Sequence, residues 1–143
     1  MAANTGHQIK LSDLHLEQMQ AWSREQFPRE ACGLLLGRRD QQRTEVLELT
    51  SAPNRFEGLA GEGFELEALH LVQAEGRARA RGLGVVGLWH SHPGQAAVPS
   101  HADAAGALGD WSYPILALKA DGTSVLRSWR YTAQGFREER LLS

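Results

Sequence analysis

Gly84-Val85-Val86-Gly87-Leu88-Trp89-His90-Ser91-His92-Pro93 decides how this chain is read. Gly84 to His90 reads as a central strand, apolar up to its end. At that end stand two histidines spaced i and i+2, whose side chains leave the same face of an extended strand. Seven residues later comes Ser100-His101-Ala102-Asp103, which adds a carboxylate. Two imidazoles and one carboxylate can share a metal ion and leave a fourth position for water, the arrangement of a catalytic zinc rather than a structural one. A lone histidine at a strand end is usually a satisfied polar residue. The pair, with an acid nearby, points to ligands.

The flanking pattern alternates helix and strand, then runs to strands alone. Ile9 to Leu11 reads as a short strand. Ser12 caps a helix to about Gln26, with Leu16, Met19 and Trp22 on one apolar stripe and Pro28 stopping it. Gly33-Leu34-Leu35-Leu36-Gly37 reads as a buried strand, and Thr44 to Thr50 returns as its hairpin partner. Residues 52–63, with Pro53, Asn54 and three glycines, form a loop. Phe64 to Arg81 reads as a helix with Leu66, Leu69 and Val72 inward and Gly82 at its C-terminal end. Ser100 opens a short helix to about Leu108, which Gly109 is placed to end. Tyr113 to Lys119, Val125 to Tyr131 and Gly135 to Leu141 are three closing strands. The sum is a mixed α/β sandwich, with helices packed on a curved sheet. Residues 1–8 are small and polar and are expected to be a disordered tail. Residues 9–143 are expected to be one domain.

Composition narrows the function. A chain of 143 residues suits one domain with a sizeable core. A net charge of −2 with no dominant basic face argues against nucleic acid as a partner. Cys32 is the one cysteine, which forbids an internal disulfide and suits a reducing compartment. No stretch has signal-peptide or membrane-span character, so a cytoplasmic protein without membrane contact is expected.

Further features bear on the chemistry. Ser100 and Asp103 fit a helix capping box, a role partly compatible with Asp103 as third metal ligand. Pro93 and Pro99 stiffen the loop that returns Asp103 to the imidazoles. Glu30, just before the apolar strand, would alone be a solvated charge. Beside a metal it can take a proton from water and return it to a leaving amine. Ser100 can donate to a developing oxyanion. Cys32 sits at the start of an apolar strand and behaves there as a small hydrophobe, not a nucleophile.

Glu30, then His90-x-His92, seven residues, and Ser100-x-x-Asp103 resemble the signature of the JAMM (MPN+) metalloproteases. Pro28-x-Glu30-Ala31-Cys32-Gly33-Leu34-Leu35-x-Gly37 is similar to that family's first motif. Gly87-Leu88-Trp89-His90-Ser91-His92-Pro93 is similar to its second, and Pro99-Ser100-His101-Ala102-Asp103 to its third. The resemblance implies a cytidine-deaminase-like α/β/α sandwich. It also implies one zinc ion (Zn2+) held by His90, His92 and Asp103, with Glu30 as general base and Ser100 supporting the tetrahedral intermediate. The implied substrate is the bond after the C-terminal Gly-Gly tail of a ubiquitin-like or sulfur-carrier protein. The segment from Asp103 to Tyr113 is too short for the insertion that deubiquitinating members use to hold ubiquitin, which favours a small prokaryotic carrier. Metal-free relatives act as scaffolds, but they have lost ligands that are all present here.

Overall fold

The structure is a computed structural model, and it describes residues 6–143. Seven strands and three helices follow one another as β1 (Gln8–Lys10), α1 (Asp13–Gln26), β2 (Cys32–Arg39), β3 (Arg43–Leu49), α2 (Ala68–Ala80), β4 (Gly84–Pro93), α3 (His101–Ala105), β5 (Ser112–Leu118), β6 (Ser124–Thr132) and β7 (Gly135–Leu142). The expected strands and first helix appear within a residue or three of their expected bounds.

The sheet is mixed, and it is closed rather than merely curved. Its order is β1-β3-β2-β4-β5-β6-β7, and β1 pairs in parallel with both β3 and β7. The short N-terminal strand therefore completes the barrel and removes both open edges. Of the tail expected over residues 1–8, residues 1–5 lie outside the described residues. His7 and Gln8 belong to the barrel: His7 Nδ1 lies 2.9 Å from Glu139 Oε1, and both residues are buried.

β2 is buried on both faces, as its unbroken leucines require. Leu35 joins Ile9, Met19, Trp89 and Leu116 beneath α1. Leu34 and Leu36 point the other way and pack against Ala74 and Ala78 of α2. The two longer helices thus cover opposite faces of the same strands. Gly33 and Gly87 permit close backbone approach. A Cβ at Gly33 would stand 1.9 Å from the Thr50 carbonyl oxygen, and one at Gly87 would stand 2.1 Å from that of Ser112.

Two helix expectations are corrected. α2 begins at Ala68 with Glu67 as N-cap, and Phe64 to Leu66 remain in the loop. Leu69 and Val72 face solvent, each 61% exposed, while Leu71, Ala74 and Ala78 face the sheet. The buried stripe is made of small residues because the helix lies close to β2, so side-chain bulk is a poor guide to its inward face. α3 ends at Ala105 with Gly106 as C-cap, not at Leu108 with Gly109. Gly82 takes a left-handed φ of 73° after α2, as its place in the sequence suggests.

Candidate metal centre

β4 delivers both histidines. Cys32 and Ile115 flank His90 on the neighbouring strands, and Ala117 flanks His92, so the ring-bearing backbone is pinned from both sides. The two imidazoles converge, with their Nε2 atoms 3.1 Å apart. α3 brings Asp103 back over them. One of its oxygens lies 3.2 Å from His90 Nε2, and the other lies 3.3 Å from His92 Nε2. Glu30 completes a second grouping, with ligand atoms of Glu30, His90 and His92 all within 4.8 Å of one another.

These spacings fit one cation. Donors about 2.0–2.1 Å from a tetrahedral zinc stand roughly 3.3 Å from each other. The two imidazole nitrogens and the carboxylate meet at that separation. The tautomer fits too. His92 Nδ1 lies 2.8 Å from the Ala96 carbonyl, an acceptor only, so Nδ1 donates and, in the neutral ring, Nε2 keeps its lone pair. Once both are deprotonated, as metal binding requires, two nitrogens this close repel unless a positive centre lies between them. Glu30 Oε1 and His90 Nδ1 are buried without a hydrogen-bond partner. An unpaired buried carboxylate oxygen is costly and marks a place built for a proton, water or ion.

Electrostatics follow the geometry. Burial pushes the Glu30 carboxyl up to about 7, although His92 pulls it down. Burial also holds His90 below the usual imidazole value, against the Asp103 hydrogen bond, and so favours its neutral form. His92 moves the other way: burial opposes its charge, but Asp103 and the Ala96 carbonyl outweigh it. Asp103 is desolvated as well, yet hydrogen bonds from both imidazoles hold it well below the usual carboxylate range.

Ser100 is where the capping box put it. Its Oγ accepts the Asp103 N–H at 3.1 Å, and its own N–H donates to Asp103 Oδ2 at 2.8 Å. The cap and the candidate ligand are therefore one structure: the helix start aims the carboxylate at the imidazoles. Cys32 is fully buried, and desolvation, with Glu30 nearby, pushes its thiol up to about 12. That is the environment of an inert thiol. His101 is exposed on α3. Arg77 and Arg81 pair with Glu48 on the outer surface.

Several contributing residues are assigned no role by the sequence. Ser91 stands between the histidines, and its Oγ accepts the Ala31 N–H at 2.8 Å. It thus ties the histidine strand to the residue after Glu30. Phe64 lies against His90 with ring centroids 4.6 Å apart. A cavity of about 480 Å³ opens beside the histidines, lined by Leu34, Phe64, Leu88, His90, Asp103 and Trp111 among others.

The chain is similar to known proteins along most of its length. Residues 12–132 match the family of prokaryotic homologs of the JAB domain. A solution structure of a Desulfitobacterium hafniense protein shares 31% identity over 94% of this chain and 91% of its own, with a TM-score of 0.82. A Salinibacter ruber protein shares 30% identity over 93% of this chain and 89% of its own, with a TM-score of 0.69. With most of its length matched by one family model and its fold shared along nearly the whole chain, the protein belongs to the prokaryotic JAB-domain homologs.

Proposed function

We propose that this protein is a zinc-dependent peptidase or isopeptidase. Its substrate is the bond after the C-terminal Gly-Gly tail of a ubiquitin-like or sulfur-carrier protein. The observation that carries this reading is the convergence of His90, His92 and Asp103 at 3.1–3.3 Å, with an unpartnered Glu30 oxygen close by.

His90, His92 and Asp103 would hold the metal. Zinc bound there supplies a Lewis acid and lowers the pKa of a coordinated water to about 7. Glu30 takes a proton from the attacking water and passes it to the departing amine. Burial raises its carboxyl from the ordinary glutamate value, which favours accepting a proton and passing it on. The Ser100 hydroxyl accepts the Asp103 N–H and keeps its own hydrogen free. That hydrogen is assigned to the carbonyl oxygen as its negative charge develops. Glycines suit the acyl side because, without Cβ, their backbone can approach closely. A carrier segment seated in the cavity ends at His90 and Asp103, which line it. The deaminase-like α/β/α label and a cytoplasmic location are part of this proposal. So is a small carrier protein as partner, with neither nucleic acid nor membrane.

The test is incubation of zinc-loaded protein with Gly-Gly-tailed carriers bearing C-terminal extensions or isopeptide conjugates, with products identified by mass. The expected product is a carrier ending in a free Gly-Gly carboxylate. Its formation stops on chelation, and also in Glu30→Gln protein that still holds metal. Zinc-loaded protein that leaves every carrier intact overturns the proposal in favour of a binding module.

A further inference from the structure

Between Ala52 and α2 the chain has no helix or strand, yet it is tightly organised around Asn54. The Asn54 carboxamide makes four hydrogen bonds. Its Nδ2 donates to the Glu30 carbonyl at 2.9 Å and to the Gly63 carbonyl at 3.2 Å. Its Oδ1 accepts from the Phe56 N–H at 2.9 Å and the Glu65 N–H at 3.0 Å. A carboxamide has two donor hydrogens and two lone pairs, so its capacity is fully used. The Arg29 guanidinium adds bonds to the Asn54 and Phe56 carbonyls at 3.2 and 2.8 Å. One side chain thus ties the backbone of Glu30 to both ends of the loop that carries Phe64.

Both connections reach the metal centre. Glu30 Oε1 has no hydrogen-bond partner, so the backbone beneath it sets its direction. Asn54 grips that backbone on one side, and Ser91 grips Ala31 on the other. The two histidines are held differently. His92 has the Ala96 carbonyl on Nδ1, whereas His90 Nδ1 is buried and unpartnered. What bears on the His90 ring is the face of Phe64, tilted 32° at 4.6 Å.

We propose that Asn54 is the positioning residue of this centre. It fixes Glu30 and the 56–65 loop as one hydrogen-bonded unit and seats Phe64 on His90, where the phenyl ring does the orienting that a carbonyl does for His92. The inference rests on the reading of His90 as a metal ligand.

The test is zinc affinity, measured without substrate by competition with a chromophoric chelator. The proteins are Asn54→Ala, Phe64→Leu and the double variant, with Leu59→Ala as a control at an exposed position of the same loop. Loss of a group that orients a ligand typically weakens metal binding about tenfold or more. Each single variant is expected to show that loss, and the double variant is expected to be no weaker than the worse single. Non-additivity is the signature of two residues acting through one contact. Leu59→Ala is expected to match the parent protein. Parent-like affinity in either single variant, or multiplicative losses in the double, overturns the proposal. Should Asn54→Ala not fold, Asn54→Asp takes its place with the same expectations, because it keeps the two acceptor bonds and loses the two donor bonds. An absence of hydrolysis would sink the peptidase reading and leave this inference intact. Full hydrolysis with unchanged affinities would do the reverse.

Discussion

His90 and His92 present their Nε2 atoms to each other across 3.1 Å on one face of β4, and Asp103 closes the triangle from α3. A strand fixes two corners and a helix start fixes the third, so little reorganisation is needed for an ion to bind. Replacing Asp103 by Asn separates charge from shape, because an amide oxygen can still accept the Ser100 N–H. Asp103→Asn is expected to keep its melting temperature within a few degrees. It should lose more zinc affinity than the roughly tenfold to hundredfold that outer-sphere losses cost. Chelator competition checks this, and parent-like affinity would remove Asp103 from the ligand set.

Ser100 has two separable duties. As N-cap it contributes about 1 kcal/mol, which Ser100→Ala forfeits with or without metal. As an oxyanion donor it contributes about a hundred- to a thousandfold in turnover. Urea unfolding of the metal-free protein reads the first, and kcat of the zinc-loaded protein reads the second. A stability loss with unchanged kcat would confine Ser100 to the cap.

Cys32 should be inert. With its thiol pushed up to about 12, only about one part in ten thousand is thiolate at pH 8, and its side chain is buried against the Ala52 carbonyl. Lowering the pH from 8 diminishes that fraction further, and raising it toward 12 increases it. Iodoacetamide at pH 8 is expected to leave the folded protein unlabelled by mass, with activity intact. Rapid alkylation with loss of activity would revive a cysteine mechanism.

Barrel closure rests on a second buried polar cluster. Glu139 meets His7, Ser112 and Ser128 through its two oxygens, and Thr44 Oγ1 lies 2.9 Å from Ser112 Oγ. Glu139→Ala removes the acceptor of the Ser128 hydroxyl and the partner of His7 Nδ1 in a dry interior, where each buried polar group left unsatisfied costs about 1–3 kcal/mol. Urea denaturation of the metal-free protein is expected to show that loss. A change below about 1 kcal/mol would mean the cluster does not secure β1.

The convergence of His90, His92 and Asp103 is legible in the sequence because their geometry is local. An i, i+2 spacing on a strand and a Ser-x-x-Asp at a helix start each fix direction within a few residues. β1 as the closing strand was not legible, since a three-residue segment says nothing about pairing with β7 at the far end of the chain. The inward face of α2 was misread because Leu69 and Val72 outweigh Ala74 and Ala78 in bulk, while close packing on β2 selects the small residues. Asn54 looked like an ordinary turn residue after Pro53. Its bond to Glu30 spans 24 positions, and no periodicity carries that. The sequence pattern places Phe64 in a helix, and only the actual start of α2 frees it to lie on His90.

Zinc K-edge absorption on protein loaded with one equivalent of the metal, alongside elemental analysis, tests the central claim most directly. The expected result is about one zinc per chain, with imidazole nitrogen and carboxylate or water oxygen at about 2.0–2.1 Å and no sulfur near 2.3 Å. Protein that binds no zinc, or a sulfur neighbour from Cys32 in place of the imidazoles, would contradict it.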